Sequence, residues 1–197
     1  LVDGTHFLPD TDPQGLGWKT LAVNLSDLAA MGACPRWVLL AGSLPTADEA
    51  WIAAFADGLF ACARRFGVDL VGGDTTRGPR NFCVTALGEV PVGTALRRDR
   101  ARAGDDLWVS GQPGLAALGL AALQGECTLP EALAARCRTA LERPLPRVEL
   151  GLALREEGLA HAAIDVSDGL LADLGHIAER SRLHLEINAL QLPHLPP

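Results

Sequence analysis

Basic charge is scarce in this sequence and unevenly composed: of 17 Lys and Arg residues, only Lys19 is a lysine. No G-x-x-x-x-G-K-[ST] string is present and no glycine-rich segment leads up to Lys19, which excludes a P-loop. With 24 acidic residues the formal net charge is -7, so the basic face expected of a nucleic-acid binder is missing. Long apolar runs are also missing. The longest lies around Leu115–Leu123 and contains Gly119, far short of the ~18–20 residues that span a bilayer. No C-x-x-C pair occurs among the five cysteines (Cys34, Cys62, Cys83, Cys127, Cys137), and an odd number argues against a disulfide framework. Cys34, Cys62 and Cys83 sit among apolar neighbours and read as buried free thiols, which points to a reducing, cytoplasmic setting. The sequence starts at Leu1 without an initiator Met or a signal-peptide pattern and ends in Leu192-Pro193-His194-Leu195-Pro196-Pro197. Both ends lead us to expect a segment of a longer protein.

What is present is a chain of 197 residues, 48% apolar and 21% charged, enough to bury a core and too apolar for disorder. Thr20–Leu25 reads as a short strand stopping at Ser26-Asp27, with Leu28–Ala33 a helix that Ser26 would cap. Trp37–Leu44 is a strand candidate. Asp48–Phe66 carries one helical stripe (Trp51, Phe55, Leu59, Cys62, Phe66) that stops at Gly67. Val68–Val71 and Asn81–Val90 read as strands joined by a Gly72–Pro79 turn. Leu107–Ser110 reads as a further strand, followed by helical segments near Leu115–Leu123, Pro130–Leu141 and Arg147–Glu157. The last unit is a strand over Ala162–Val166, a turn at Ser167-Asp168-Gly169, and a helix to about Ser181 striped by Leu170, Leu174 and Ile177. The strand-rich half gives way to the helix-rich half near residue 106. That suggests an N-terminal domain over 1–106 and a second over 107–197. Asn24–Leu28 and Asp165–Gly169 read as two copies of one design, an apolar strand entering a helix through Ser-Asp.

Three turns thus carry acids beside Gly or Ser: Asp27, Asp74, and the pair Asp165 and Asp168. Carboxylates at strand ends suit Mg²⁺, a hard ion that keeps waters and substrate phosphates in its shell. Gly73 removes a side chain, so its N–H can approach a phosphate, and Thr75, Thr76 and Arg77 add donors. Ser167 at a helix start can donate to an anion. Each feature also has a plainer reading. Asp27 and Asp168 could stabilise helix starts by ~0.3–1 kcal/mol each, and Gly73-Asp74 could be an ordinary hairpin turn. The arginines at 97, 98, 100 and 102 could be a solvated loop. His6, alone beside Phe7, reads by default as a partly buried, hydrogen-bonded histidine, and His161, His176, His184 and His194 lack metal-ligand spacing and read as structural. Spacing and composition alone therefore support an α/β domain with several acidic turns.

Three longer strings narrow this: Asn24-Leu25-Ser26-Asp27-Leu28-Ala29-Ala30-Met31-Gly32-Ala33, Gly72-Gly73-Asp74-Thr75-Thr76-Arg77-Gly78, and Ile164-Asp165-Val166-Ser167-Asp168-Gly169-Leu170. In this order and spacing the sequence resembles the bacterial thiamine-monophosphate kinases, a family of the aminoimidazole-ribonucleotide synthetase-like superfamily. Gly4–Pro9, Ala86–Pro91 and Arg98 with Gly104-Asp105 add to the likeness, which runs to about residue 193. The resemblance implies a two-domain α/β (α+β) fold, an N-terminal sheet domain with a truncated C-terminal domain, dimerising through the N-terminal sheets. It implies direct transfer of the ATP γ-phosphate to thiamine monophosphate with Mg²⁺. On matching positions it makes Asp27, Asp74, Asp165 and Asp168 magnesium ligands, Gly73, Asp74, Arg98 and Ser167 ATP contacts, and His6 a contact to the phosphate acceptor. No covalent intermediate and no strong general base are implied.

The sequence departs from the family pattern at Gly111–Ala116, which lacks the usual Asp-Ser after its second glycine. Further acidic and aromatic segments of the family lie before and after this stretch, so residues 1–197 alone are expected to be an impaired catalyst. Two other readings remain at this point: another ATP-dependent synthetase of the superfamily, or a non-catalytic nucleotide-binding module.

Overall fold

Asp12 and Pro13 start the first helix. Pro13 occupies the first helical position, where a missing N–H costs nothing, and the Asp12 carboxylate accepts the Gly15 N–H at 2.7 Å. The helix, α1, runs Pro13–Ala30 and buries Leu16, Thr20, Leu21, Leu25 and Ala29. It ends where Gly32 turns left-handed (φ 64°): the Ala33 N–H bonds the Leu28 carbonyl and the Gly32 N–H that of Ala29, both at 2.9 Å. The strand expected at Thr20–Leu25 is therefore helix, and Ser26 and Asp27 lie in its last turns rather than at a helix start. The β-leaning Thr20 and Val23 are overridden by burial of one whole helical face. The two-copy design fails for the same reason, since only the Asp165 copy precedes a helix.

In the computed structural model, residues 1–188 are described; His194 and the Leu192–Pro197 run lie outside the described residues. After α1 come β1 (Cys34–Leu44), α2 (Glu49–Phe66), β2 (Asp69–Arg77) and β3 (Asn81–Glu89). They are followed by α3 (Leu115–Leu123), α4 (Glu131–Glu142), α5 (Val148–Glu156) and α6 (Leu170–Ser181). The three strands form one sheet in the order β2-β1-β3, with β1 parallel to β2 and antiparallel to β3. The expected turn at Gly72–Pro79 is mostly strand: Gly72 to Arg77 pair with Leu39 to Leu44, after a register shift between Val38 and Leu39. Parallel pairing with β1 satisfies this backbone, so only the residues from Gly78 onward make the turn.

α2 has the expected stripe and ends. Asp48 accepts the Trp51 N–H at 3.1 Å, and Gly67 closes the helix at φ 64°. Phe55, Leu59 and Cys62 are buried against α1 and one face of the sheet, where Val38 and Phe82 join the core. Phe55 and Phe82 stack with centroids 4.5 Å apart, and Trp51 stacks on both. The α1–α2 contact is close at two glycines. A Cβ on Gly17 would stand 1.9 Å from the Phe55 carbonyl oxygen, and one on Gly58 would stand 1.8 Å from that of Gln14.

The second half is helical where expected, but neither Leu107–Ser110 nor Ala162–Val166 forms a strand. Among the described residues these runs have no ladder to join, save one parallel bridge from Arg97 to Ala162. All five cysteines are free. Cys62 is buried as expected, and burial pushes its thiol up to about 12, whereas Cys34 is half-buried, Cys83 is exposed on the sheet and Cys137 takes a buried place instead. Strand alternation explains the error: Phe82 and Val84 point to the core, so Cys83 between them faces outward.

Gly58→Ala should lower the unfolding free energy by about 1–3 kcal/mol or more, because backbone must move to admit the methyl. Gly175→Ala, at a helical position in α6 with nothing near its Cβ, should be neutral or stabilising by up to ~1 kcal/mol. Urea midpoints of both variants beside the parent check the contrast. Cys62 and Cys137 should resist thiol reagents until the protein is unfolded, as counted by mass spectrometry of labelled peptides.

Candidate functional site

The last turn of α1 meets two later segments. The Leu96 N–H bonds the Met31 carbonyl at 3.0 Å, Arg155 of α5 donates to the Gly32 carbonyl at 2.6 Å, and the Arg97–Ala162 bridge draws in residues 162–166. These tethers bring Asp27, Arg98 and Asp165 into one electrostatic neighbourhood. Burial and then the Asp165 carboxylate push the Asp27 carboxyl above the usual range, while the Arg98 guanidinium opposes them. Asp27 also stands at the negative end of the α1 dipole. Arg98 is exposed and is the partner left over beside Arg97, whose guanidinium is engaged by Asp99 through Nε at 2.7 Å and Nη2 at 2.5 Å. The Arg97 hydrogen bond holds the Asp99 carboxyl down at about 2.

Ser167 and Asp168 are exposed in the turn that leads through Gly169 (φ 121°) into α6. Their backbone is held by Asp173, buried at 3% exposure, whose Oδ2 accepts the N–H of Ser167 at 2.9 Å and of Asp168 at 3.1 Å. At the far end of α6, Ser181 Oγ donates to the Arg98 carbonyl at 2.9 Å and accepts the Ala101 N–H at 3.1 Å. A further link joins Asp105 to His161 Nδ1 at 2.8 Å; the Arg102 N–H and then His161 hold Asp105 below the usual carboxylate range. Sequence reasoning missed Asp173. An acid four positions inside a helix, after Ser-Asp-Gly, is the signal that could have found it.

Gly73 and Asp74 lie exposed within β2. Gly73 has φ 147°, and a Cβ there would stand 1.9 Å from the Leu40 carbonyl oxygen, so the close packing of β2 on β1 requires glycine. Asp74 Oδ1 accepts the Thr75 N–H at 2.9 Å. His6 is exposed at the other end of the chain's first loop, and its Nδ1 accepts the Val2 N–H at 3.0 Å, which leaves Nε2 as the donor. Lys19 of α1 donates to the His6 carbonyl at 3.1 Å; burial lowers its pKa and Glu142 opposes that.

Among the described residues no three acids, histidines or cysteines form a group able to hold a metal ion. The expected magnesium ligands are thus distributed: Asp27 shares a field with Asp165, Asp168 follows three residues on, and Asp74 is on β2. The Asp27–Asp165 pair nevertheless fits a divalent cation by its chemistry. Both are hard oxygen donors, and a cation beside them would relieve the burial and the Asp165 charge that push the Asp27 carboxyl up.

Residues 1–90 match the family described as AIR synthase related protein, N-terminal domain. The chain is 49% identical to the thiamine-monophosphate kinase of Salmonella typhimurium over 194 residues, covering 98% of this chain and 59% of that protein. It therefore spans about three-fifths of the length of such relatives. The crystal structure of the thiamine-monophosphate kinase of Stenotrophomonas maltophilia superposes with a TM-score of 0.88 at 57% identity, over 92% of this chain and 58% of that one. A structure described as AaThiL complexed with AMPPCP and TMP gives 0.83 at 32% identity, over 91% and 57%. Among the described residues no helix is long and apolar enough to cross a membrane. Residues 1–90 thus resemble the AIR synthase related N-terminal domain, and the chain is similar along nearly its whole length to the matching stretch of thiamine-monophosphate kinases.

Proposed function

We propose that the protein carrying this chain transfers the γ-phosphoryl group of ATP to thiamine monophosphate, giving thiamine diphosphate and ADP, with Mg²⁺ and in the cytoplasm. The observation that carries this reading is the meeting of Asp27, Asp165 and Arg98 at the end of α1, in a chain so close to kinases of that name. The division near residue 106 belongs to the same reading: residues 1–106 hold most of the nucleotide site and 107–197 supply Asp165, Ser167 and Asp168.

In this mechanism the chain's residues bind and align. Arg98 offers bidentate donors to ATP phosphates, Ser167 adds a hydroxyl, and the backbone at Gly73 is bare enough for a phosphate to approach. His6 Nε2 donates to the acceptor phosphate. That acceptor is an oxygen already ionised near neutral pH, so no side chain must remove a proton and no covalent enzyme intermediate forms. Two unit charges 4 Å apart repel by about 4 kcal/mol at an effective dielectric of 20, so the phosphates cannot converge unaided. Mg²⁺, when bound, neutralises this charge; Asp27 and Asp165 would hold it, with Asp74 and Asp168 as further ligands. Because the acceptor is recognised as a phosphate, a second ATP-dependent synthetase chemistry is the alternative that an assay must reject.

The sheet supports a homodimer. One face packs on α1 and α2, while Trp37 (42% exposed), Val71 (57%) and Leu87 (44%) stand on the other with Leu39 and Cys83. An apolar sheet face of this kind in one chain matches the same face in a second. Leu39→Arg in the full-length protein should convert dimer to monomer by sedimentation velocity and raise the labelling rate of Cys83. A parent protein that sediments as a monomer would overturn the pairing.

Asp74→Asn in the full-length protein should abolish thiamine diphosphate formation while circular dichroism and Tm stay near the parent's. Near-normal turnover would remove Asp74 from the metal set. Arg98→Ala should raise the KM for ATP or lower kcat far more than Ala at Arg97, Arg100 or Arg102. Equal, mild effects at all four would mean a solvated basic loop.

A further inference from the structure

We propose that Asp173 and Ser181, towards opposite ends of α6, are positioning residues that set the spacing between the Ser167–Asp168 turn and the Arg98 turn. This inference rests on the kinase reading above, in which both turns carry nucleotide contacts.

Asp173 is a carboxylate at 3% exposure, and a buried carboxylate is tolerated only where donors satisfy it. Its Oδ2 takes two consecutive backbone N–H groups, those of Ser167 and Asp168. Fixing two successive amides fixes the path of the chain between them and so the direction in which both side chains leave it. No side chain caps the start of α6, and Gly169 at φ 121° gives the turn little stiffness of its own, so Asp173 is the group that orders it. Ser181 works in both directions at the last residue of the helix. Its hydroxyl donates to the Arg98 carbonyl and accepts from the Ala101 N–H, closing the Arg98–Ala101 turn onto α6. Eight residues of helix separate the two, a rise of about 12 Å. A helix is stiff on that scale, whereas residues 97–106 form no helix or strand of their own. The distance between a nucleotide contact from each half of the chain is therefore set by a helix that itself need not touch the nucleotide.

The test uses the full-length protein. MgATP affinity is measured by calorimetry, which needs no acceptor, and KM is measured separately for ATP and for thiamine monophosphate. Ser181→Ala should weaken MgATP binding about three- to tenfold, the range for one lost hydrogen bond, and leave the acceptor KM unchanged. Ser181→Thr, which keeps the hydroxyl, should recover most of the loss. Asp173→Asn keeps an acceptor oxygen and should retain more affinity than Asp173→Ala. In an Arg98→Ala background Ser181→Ala should add nothing, because it acts through Arg98. Additive losses in that background, Asn and Ala behaving alike at 173, or equal changes in both KM values that track Tm would each overturn the proposal. A parent protein that binds MgATP but does not phosphorylate thiamine monophosphate would remove the kinase reading alone, and the calorimetric comparison would still decide the positioning role. A parent that binds no MgATP would overturn both.

Discussion

The rest of the structure depends on how closely other backbones can approach α1. Gly17 and Gly58 let α1 and α2 touch through main chain, with carbonyl oxygens where side chains would otherwise stand. At the other end of α1, Gly151 of α5 meets Ala29 in the same way, since a Cβ there would lie 2.0 Å from the Ala29 carbonyl oxygen. Glycine in a helix interior costs about 0.5–1 kcal/mol against alanine. That cost is offset because the close approach lets Leu16, Leu21 and Leu25 reach full burial against α2 and the sheet. One consequence reaches the site directly: with α1 pinned at both ends, Asp27 is delivered to a fixed place beside Arg98 and Asp165.

Two kinds of force then act on the site. Apolar packing places the elements, and polar tethers adjust the loops that packing leaves free. The Leu96 N–H on Met31, Arg155 on Gly32 and Ser181 on Arg98 join segments far apart in sequence through main-chain groups, while Asp173 holds the Ser167 turn just before its own helix. Main-chain partners suit this purpose because they fix chain direction rather than one side-chain rotamer. The charges themselves remain in tension. Asp27 is raised by its surroundings and Arg98 opposes the rise, an arrangement natural to a place where a cation and phosphates meet.

Much of this was legible in the sequence. The α2 stripe and its Gly67 stop came directly from 3.6-residue periodicity, and the helices of the second half sit within a residue or two of their expected ranges. The acids and Arg98 were legible only through long strings, because no local pattern separates a metal-binding Asp from a helix-stabilising one. The main error was at α1. The β-leaning Thr20–Leu25 run read as a strand, and the Asp12-Pro13 start went unread. Gly17, a poor helix former inside α1, is the residue that the α1–α2 contact demands.

The same division explains the other differences. Gly73-Asp74 has the composition of a turn, yet β1 offers a parallel partner and the segment becomes strand. Leu107–Ser110 has the composition of a strand, yet finds no ladder among the described residues and stays irregular. The sequence by itself determined which segments are helical by periodicity, where α2 starts and stops, that acids and arginines supply nearly all of the charge, and which residues to watch. Only the tertiary structure decided whether an ambiguous segment is helix or strand, which cysteine is buried, and that Ser181 holds the Arg98 turn onto α6. Those outcomes depend on a partner surface or hydrogen-bonding group far away in the chain, and local composition carries no record of it.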